Sequence, residues 1–197
     1  METLRWELAL PDWTGPWVER YGRDLGSDRE KMEFTVELSR QNVRQGTGGP
    51  FGAAVFEEGA KTPLAVGVNL VVPTNCSVAH AEVVALTLGE KRHGAFSFRA
   101  KGGRFDLFSS SQPCVMCYGA LLWAGVNRLL FGALAEDVKG IVGFDEGPLT
   151  PRWREELETR GVEVVPGLCR PEAVGVLREY RDSGGVVYNG QPLQGKV

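Results

Sequence analysis

Two short motifs that lie far apart in the chain place the strongest constraint on its fold. The first is His80-Ala81-Glu82, and the second is Pro113-Cys114-Val115-Met116-Cys117. One imidazole and two thiolates suit zinc, and three protein ligands leave the fourth coordination position open, as catalytic zinc sites do. We therefore predict that the fold brings His80, Cys114 and Cys117 together around one zinc ion.

The other residues that could bind such a metal are few. They are Cys76, Cys169 and His93, and they form no second Cys-x-x-Cys motif or His pair. A closed structural cage needs four ligands, so the sequence favours a catalytic site over a structural one. Thiolate and imidazole ligands favour zinc and leave iron open as an alternative.

Glu82 stands two residues after the predicted imidazole ligand. We interpret it as a group that does not bind the metal but moves protons between water and a substrate. Both motifs are predicted to lie at helix N-termini, where the unpaired amides of the first turn stabilise negative charge. That position favours the thiolate form of Cys114 and Cys117, which is the form that binds metal.

The composition places the chain among ordinary globular proteins. It has 197 residues, 43% of them hydrophobic and 24% charged, which suits one domain with a sizeable core. A net charge of -3 gives no general attraction for polyanions, so nucleic acid is not an expected partner. The few cysteines and the lack of a long apolar run predict a cytoplasmic protein without a membrane partner.

The chain divides into three predicted parts. Residues 1–26 mix tryptophan with proline and glycine, which predicts an irregular N-terminal arm. The capping-box sequence Ser27-Asp28-Arg29-Glu30 predicts the start of a helix and of a main domain, 27–183. Residues 184–197 form a predicted C-terminal tail, a candidate lid over the active site. We expect the tryptophans of the arm to be buried anchors: Trp6, Trp13 and Trp17.

Hydrophobic patterns and turn residues predict alternating strands and helices. Strands are predicted over residues 51–57, 64–72, 105–108, 128–131 and 162–165. Helices are predicted from Ser27 to the glycines that precede Pro50, and over residues 80–88, 114–124, 151–159 and 171–181. This order implies an α/β fold, a three-layer α/β/α sandwich around a five-stranded mixed sheet.

His-x-Glu followed by Pro-Cys-x-x-Cys is the signature of zinc-dependent nucleobase deaminases. The chain resembles the cytidine-deaminase-like superfamily and, within it, the guanine deaminase branch. The resemblance spans residues 32–147 and continues more weakly to Asn189. It implies hydrolytic deamination of a small free nucleobase, guanine to xanthine plus ammonia, and leaves the aminotriazine ammeline open as a further substrate.

The resemblance also implies contacts with the substrate. Phe51 matches a residue that lines the base pocket, and Asn69 matches an asparagine that hydrogen-bonds the substrate ring. Ala81 is a further expected contact, and Trp123 matches a family aromatic residue. The alternatives are that Asn69 is satisfied by the local backbone and that Trp123 is buried in the core.

Two later stretches favour guanine over cytosine or tRNA. Gly143-Phe144-Asp145-Glu146 resembles a guanine deaminase motif whose last acidic residue, here Glu146, faces the substrate. A second carboxylate beside Glu82 could bind the exocyclic amine and carry a proton to it as it leaves. Val186-Val187-Tyr188-Asn189 resembles a closing tail, in which Tyr188 covers the pocket. A solvated turn and a tyrosine used only for packing are the alternatives.

One residue departs from the family pattern, because Gln112 stands where a glutamate usually precedes Pro-Cys. A neutral amide keeps its hydrogen bonds but loses a charge, so the tuning of the metal could differ. A tail that docks over the site would exclude water, and it could come from a partner subunit. We therefore expect a homodimer and leave tail swapping open.

Three other functions stay open at this point. A tRNA adenosine deaminase shares the metal motif but would need a basic surface, whereas Lys and Arg are spread along this chain. A cytosine or nucleotide deaminase would not need the segment that carries Glu146. A non-catalytic zinc-binding module would not need Glu82 as a proton carrier.

Overall fold

The computed structural model describes residues 7–189 and has a central sheet with helices on both faces. Within this range the strands are β1 (Gly52–Glu57), β2 (Ala65–Val68), β3 (Phe105–Ser111), β4 (Arg128–Ala133) and β5 (Glu163–Pro166). The helices are α1 (Thr14–Tyr21), α2 (Asp28–Arg44), α3 (Val71–Thr74), α4 (Ala81–His93), α5 (Val115–Ala124), α6 (Ala135–Ile141), α7 (Trp153–Glu158) and α8 (Arg170–Asp182).

The sheet is mixed, and its strand order is β2-β1-β3-β4-β5. β1 runs antiparallel to both neighbours, with Ala54 opposite Val66 of β2 and Phe108 of β3. β3, β4 and β5 run parallel, with Leu130 of β4 opposite Phe108 and Val165. Parallel strands that are covered on both faces have continuous apolar sequences, and such sequences allowed these strands to be predicted.

Two hydrophobic cores fill the space between the sheet and its helical layers. α2, α6 and α8 cover one face, where Met32, Leu38 and Phe108 are fully buried. α4, α5 and α7 cover the other face, where Leu121 and Phe131 are fully buried. The predicted three-layer α/β/α sandwich is therefore confirmed. Within residues 7–189, no helix has the length and apolar character needed to cross a membrane.

The N-terminal part contains a helix that the sequence did not predict. In α1, Trp17 stacks on Phe34 of α2 with ring centroids 5.1 Å apart, and the indole of Trp13 donates to the hydroxyl of Thr47 at 3.0 Å. Tertiary packing of this kind stabilises short helices that propensity alone would leave marginal. Both tryptophans are half-buried, and Trp6 lies outside the described residues. The expectation of an irregular arm is wrong for α1.

α2 begins where the capping-box sequence predicted. The hydroxyl of Ser27 accepts from the backbone N–H of Glu30 at 3.2 Å, and the Glu30 carboxylate accepts from the backbone N–H of Ser27 at 2.8 Å. The two bonds satisfy amide groups that the helix itself leaves unpaired. The start of the predicted main domain is therefore a well-defined helix N-terminus.

Close packing of α4 on β2 positions the first metal motif. A methyl group on Gly67 would lie 2.1 Å from the carbonyl oxygen of Ala81 and 2.5 Å from the backbone nitrogen of Ala85. Both distances are too short for a carbon atom, so the helix can approach this closely only over glycine. The N-terminus of α4, with His80 and Glu82, is thereby held against β2.

Some predicted boundaries are wrong. β2 ends at Val68 instead of continuing to residue 72, because the chain turns there into the short helix α3. β3 continues to Ser111 instead of ending at residue 108, because its serines extend the parallel pairing, with Ser109 opposite Phe131 and Ser111 opposite Ala133. α6 was not predicted; it follows β4 directly and is short.

Candidate active site

The fold brings the two metal motifs together at the N-termini of two neighbouring helices. His80 is the N-cap residue of α4, and Cys114 is the N-cap residue of α5. The Sγ atoms of Cys114 and Cys117 lie 3.5 and 3.7 Å from Nδ1 of His80. The three ligand atoms all lie within 4.8 Å of one another. This spacing suits one tetrahedral ion with metal–ligand bonds of about 2.0–2.3 Å.

The electrostatic surroundings of Cys114 favour its thiolate. Hydrogen bonds with the Cys117 thiol and with His80 lower the pKa of Cys114 to about 4, against the opposing effect of burial. The N-terminus of α5 adds unpaired amide groups that also stabilise negative charge. Cys114 is therefore in the form that binds a soft divalent metal.

Glu82 lies in the first turn of α4 and is buried. One of its carboxylate oxygens accepts a hydrogen bond from the hydroxyl of Ser109 at 3.3 Å. Burial, together with the charge of the nearby Cys114, raises the pKa of Glu82. A buried carboxyl group with a raised pKa is suited to accept a proton from water and pass it on.

A second carboxyl group reaches the site from the loop between α6 and α7. The carbonyl oxygen of Glu146 accepts from the backbone N–H of Val115 at 2.9 Å, which ties the loop to the start of α5. Burial, followed by the charges of Cys114 and Glu82, raises the pKa of Glu146 to about 8. Glu82 and Glu146 line the same cavity.

The cavity beside the metal ligands has a volume of about 480 Å³. Phe51 and Phe144 form an apolar wall, with ring centroids 5.3 Å apart in an edge-to-face arrangement. Asn69 and Tyr188 add polar groups to the lining. A concave site with an apolar wall and a few convergent polar groups is typical of pockets for small flat molecules.

Comparison with known proteins agrees with this geometry. Residues 26–133 match a family model described as the cytidine and deoxycytidylate deaminase zinc-binding region. The chain belongs to this deaminase family. The predicted zinc cofactor is therefore the one that the family uses, and the three clustered ligand residues provide its site.

This deaminase is similar to relatives of different specificity. It is 37% identical over 115 residues to guanine deaminase of Bacillus subtilis, covering 58% of this chain and 69% of that protein. It is 40% identical to the solved guanine deaminase from Nitrosomonas europaea, with a TM-score of 0.84 over 90% of this chain and 97% of that chain. It is 30% identical over 158 residues to a tRNA-specific adenosine deaminase of Buchnera aphidicola, covering 79% of this chain and 96% of that protein.

In the deaminase, Asn69 follows β2 and lines the cavity. Its side-chain amide donates to the hydroxyl of Tyr188, so it reaches across to the tail instead of only to the local backbone. The side-chain amide of Asn42 donates to the carbonyl oxygens of Asn69, at 3.0 Å, and Gly49, at 2.9 Å. This pair of bonds fixes the backbone that carries Asn69.

The described part of the tail, residues 184–189, reaches the cavity of the same chain, and residues 190–197 lie outside the described residues. The ring of Tyr188 has its centroid 6.2 Å from that of His80 and 5.0 Å from that of Phe144. The hydroxyl of Tyr180 donates to the carbonyl oxygen of Val186 at 2.7 Å and holds the start of this segment. Burial raises the pKa of Tyr188, so its hydroxyl keeps its proton at neutral pH.

Two predicted substrate contacts lie elsewhere in the deaminase. Trp123 is 85% exposed and lines a separate groove with Arg99 and Arg160. Cys117 faces inward from α5, whereas Trp123 occupies the outward face, so Trp123 lines neither the cavity nor the core of its own chain. The side chain of Ala81 is fully buried in the core between α4 and the sheet, and it does not line the cavity.

Gln112, which replaces the usual glutamate, also lines the cavity. Its side-chain oxygen accepts from the backbone N–H of Ala135, the first residue of α6, at 3.4 Å. A glutamate oxygen could accept the same bond. What the substitution removes is therefore a negative charge beside the metal ligands.

Three positioning residues of the deaminase were not predicted from the sequence. They are Ser109 beside Glu82, Asn42 behind Asn69, and Asn189, whose side chain bonds the loop that carries Glu146. The run of serines in the apolar strand β3 was a usable signal, because buried hydroxyls need partners. Asn42 stands among polar neighbours and gives no such signal, whereas Asn189 belongs to the predicted tail motif but had no role of its own in that prediction.

Proposed function

We propose that this protein is a zinc-dependent hydrolase that deaminates free guanine to xanthine and ammonia. The observation that carries the proposal is the pairing of two carboxyl groups, Glu82 and Glu146, on one small cavity beside the metal ligands. Similarity to guanine deaminases from two bacteria supports the same substrate. Glu82 transfers a proton to the ring, and Glu146 transfers a proton to the leaving amine.

His80, Cys114 and Cys117 would hold the metal. Their ligand atoms lie close enough together for one ion, and the donor set of one imidazole and two thiolates is one that zinc prefers. When bound, zinc lowers the pKa of water at the site from 15.7 to about 7. The proton transfers and the binding of the base are carried out by side chains of the protein.

Glu82 carries the first proton. Its carboxylate takes a proton from the attacking water and gives it to ring nitrogen N3 of guanine, while the water oxygen forms a bond to carbon C2. Protonation of the ring makes C2 more electrophilic. The hydrogen bond from Ser109 restrains one oxygen of Glu82 and so limits the rotation of the carboxylate.

Glu146 serves the leaving group. Its carboxyl group contacts the exocyclic amine and transfers the second water proton to it, and the bond between C2 and that nitrogen then breaks. One water is consumed, a carbonyl forms at C2, and neutral ammonia leaves. Both carboxyl groups return to their starting protonation states.

Asn69, Phe51 and Tyr188 are proposed to hold the base. The amide of Asn69 offers a donor and an acceptor to the edge of the ring, and Phe51 supplies an apolar face. Tyr188 covers the base and excludes water. Ammeline also carries an amine on a carbon between two ring nitrogens, so it is a proposed second substrate.

Ammonia release tests the proposed substrate class. Zinc-loaded protein is incubated separately with guanine, ammeline, cytosine, adenine and tRNA, and ammonia and the product bases are measured. We expect xanthine from guanine and no inosine in tRNA. The competing function is tRNA adenosine deamination, because the chain is similar to a Buchnera aphidicola enzyme of that kind. Inosine formation that falls steeply with added salt would support this competing function.

We further propose a homodimer in which each tail closes its own site. α5 is apolar on most sides, yet Val115 is 40% exposed and Trp123 is 85% exposed. A helix that is apolar all round is normally buried, so a second copy of the chain is the proposed cover for α5. The contacts of Tyr188 with His80 and Asn69 of the same chain support a tail that acts in cis.

The protein is proposed to lie in the cytoplasm and to consist of three parts. The cytoplasm suits a chain with four free cysteines, two of which, Cys114 and Cys117, are the proposed metal ligands. The proposed division is an arm at 1–26, a deaminase domain at 27–183 and a tail at 184–197. Limited proteolysis of the zinc-loaded protein, with mass spectrometry of the fragments, tests these limits.

A further inference from the structure

The side chain of Asn189 clamps the loop that carries Glu146. Its Oδ1 atom accepts from the backbone N–H of Asp145 at 2.9 Å, and its Nδ2 atom donates to the carbonyl oxygen of Gly143 at 3.1 Å. A side-chain amide has the donor and acceptor geometry of a peptide group, so Asn can pair with backbone on both sides. The two bonds bracket Phe144.

The same loop is also anchored to the start of α5. The carbonyl oxygen of Glu146 accepts from the N–H of Val115, and the buried ring of Phe144 packs against Phe51 and Tyr188. Two glycines with positive φ, Gly143 at 80° and Gly147 at 73°, flank the segment. The loop therefore turns at a glycine at both ends, while its middle is held by the packing of Phe144 in the core and by the two hydrogen bonds from Asn189 of the tail.

A base that bonds the side-chain amide of Asn69 would displace the hydrogen bond between this amide and Tyr188 of the tail. Tyr188 lies over His80 and accepts a hydrogen bond from Asn69, which is a group proposed to bind the substrate. Opening of the tail would carry Asn189 away from the loop and break both of its bonds. Closing of the tail would restore them.

We propose that Asn189 is a positioning residue that couples closure of the tail to the placement of Glu146. This inference rests on the function proposed above, because it assigns Asn189 to the second carboxyl group of that reaction. An open tail removes both bonds of Asn189 from the loop, which then keeps its bond to Val115 and the core packing of Phe144. The carboxyl group that serves the leaving amine is then set in place only after the base has been covered.

The coupling has a consequence for specificity. A molecule that enters the cavity but prevents the tail from closing would meet Glu82 without a correctly placed Glu146. Such a molecule could bind and yet react slowly. Selection would then occur in the chemical step as well as in binding, as in other sites that are completed by closure.

The kinetic test compares Asn189→Ala with Glu146→Gln and with the double variant. The two lost hydrogen bonds should lower kcat for guanine about tenfold, while KM changes less, because the contacts with the base remain. In the Glu146→Gln background, Asn189→Ala should cost little more, since the group that it places is already disabled. Equal losses in both backgrounds, or a rise in KM alone, would overturn the proposal.

Two further variants sharpen the comparison. Asn189→Asp keeps an acceptor for the N–H of Asp145 but loses the donor to Gly143, so its kcat should be intermediate. Val186→Ala alters an exposed tail side chain that is remote from the loop contacts, and it should behave as the wild type. Zinc content and circular dichroism of every variant must match the wild type.

Hydrogen exchange separates failure of this inference from failure of the proposed substrate. Amide exchange at residues 143–147 is followed in zinc-loaded wild type and in Asn189→Ala, without any substrate. We expect faster exchange at Asp145 in the variant and no change in α2. Unchanged protection at Asp145 would overturn the coupling even if guanine is deaminated. A wild type that does not deaminate guanine would overturn the substrate, while the exchange result still decides the coupling.

Discussion

Glu146 is the second carboxyl group at the site, and the proposed reaction needs it in addition to Glu82. Glu146→Gln keeps the size of the side chain and removes its ability to transfer a proton. We expect kcat for guanine to fall by about 100-fold or more, with zinc content unchanged. Steady-state kinetics with metal analysis measures this. Glu158→Gln, on the exposed face of α7, is the matched control, and a Glu146→Gln enzyme as fast as that control would contradict the role.

Some site residues could be predicted from the sequence because their chemistry is local. The spacing of His80, Cys114 and Cys117 matches a metal-binding signature. Both motifs were predicted at helix N-termini, and the structure brings these two helix starts together. Trp123 shows the limit of such reasoning. Which way an apolar residue of α5 faces depends on how the helix packs on the sheet, and a helix that is apolar on most sides gives no periodic signal.

At the scale of elements, the turn after Glu146 sets the position of the loop on α5. A methyl group on Gly147 would lie 2.5 Å from Cγ1 of Val115, whereas one on Gly143 would meet nothing within 4 Å. Both glycines have positive φ, so alanine is strained at either site. Gly147→Ala should therefore displace Glu146 and lower kcat by about 100-fold, well beyond the loss in Gly143→Ala. Equal kcat values for the two variants, at equal zinc content, would refute this.

An ion network joins α2 to the centre of the sheet. Arg128 of β4 lies 2.8 Å from Asp28 of α2 and 2.8 Å from Asp106 of β3, whose side chain is only 4% exposed. Arg128→Met would leave Asp106 buried without its partner, at a cost of about 3 kcal/mol in the free energy of unfolding. Arg104→Met removes an exposed pair with Glu58 and should cost less than about 1 kcal/mol. Urea denaturation measures both.

The same network predicts a dependence on pH. The hydrogen bond from Arg128 lowers the pKa of Asp28 below its ordinary value of 3.8. A carboxyl group with a lowered pKa stabilises the fold above its unfolded pKa, and this contribution is lost as pH falls through its folded pKa. The difference between wild type and Arg128→Met should thus be largest near neutrality and shrink below about pH 4. A constant difference from pH 7 to pH 3 would contradict it.

Element boundaries were harder to predict than element types. α1 escaped prediction because its stability comes from Trp17 on Phe34, a contact between distant parts of the chain. β2 was predicted too long because apolar residues continue past Val68. The turn at Asn69 is stabilised by a hydrogen bond from the side chain of Asn42, which lies on α2. In both cases tertiary contacts decide what the local pattern leaves open.

At the scale of the whole molecule, the exposed apolar face of α5 predicts assembly. Trp123→Glu would place a charge in the proposed dimer interface and should yield a monomer by analytical ultracentrifugation, with zinc retained. Phe96→Glu is the matched control, because Phe96 is 87% exposed but lies outside α5. A monomeric wild type, or a Trp123→Glu variant that stays dimeric, would refute the proposed interface.

In the hydrolysis proposed for this cavity, Glu82 moves the proton from water to the base. The most direct test is the rate of xanthine formation from guanine by zinc-loaded Glu82→Gln, relative to wild type at the same zinc content. Glu90→Gln, farther along the same helix, controls for loss of a carboxylate. We expect Glu82→Gln to keep its zinc and fold and to lose about 100- to 10,000-fold in rate. Turnover near the wild-type rate would show that another group moves the proton and would contradict the role of Glu82.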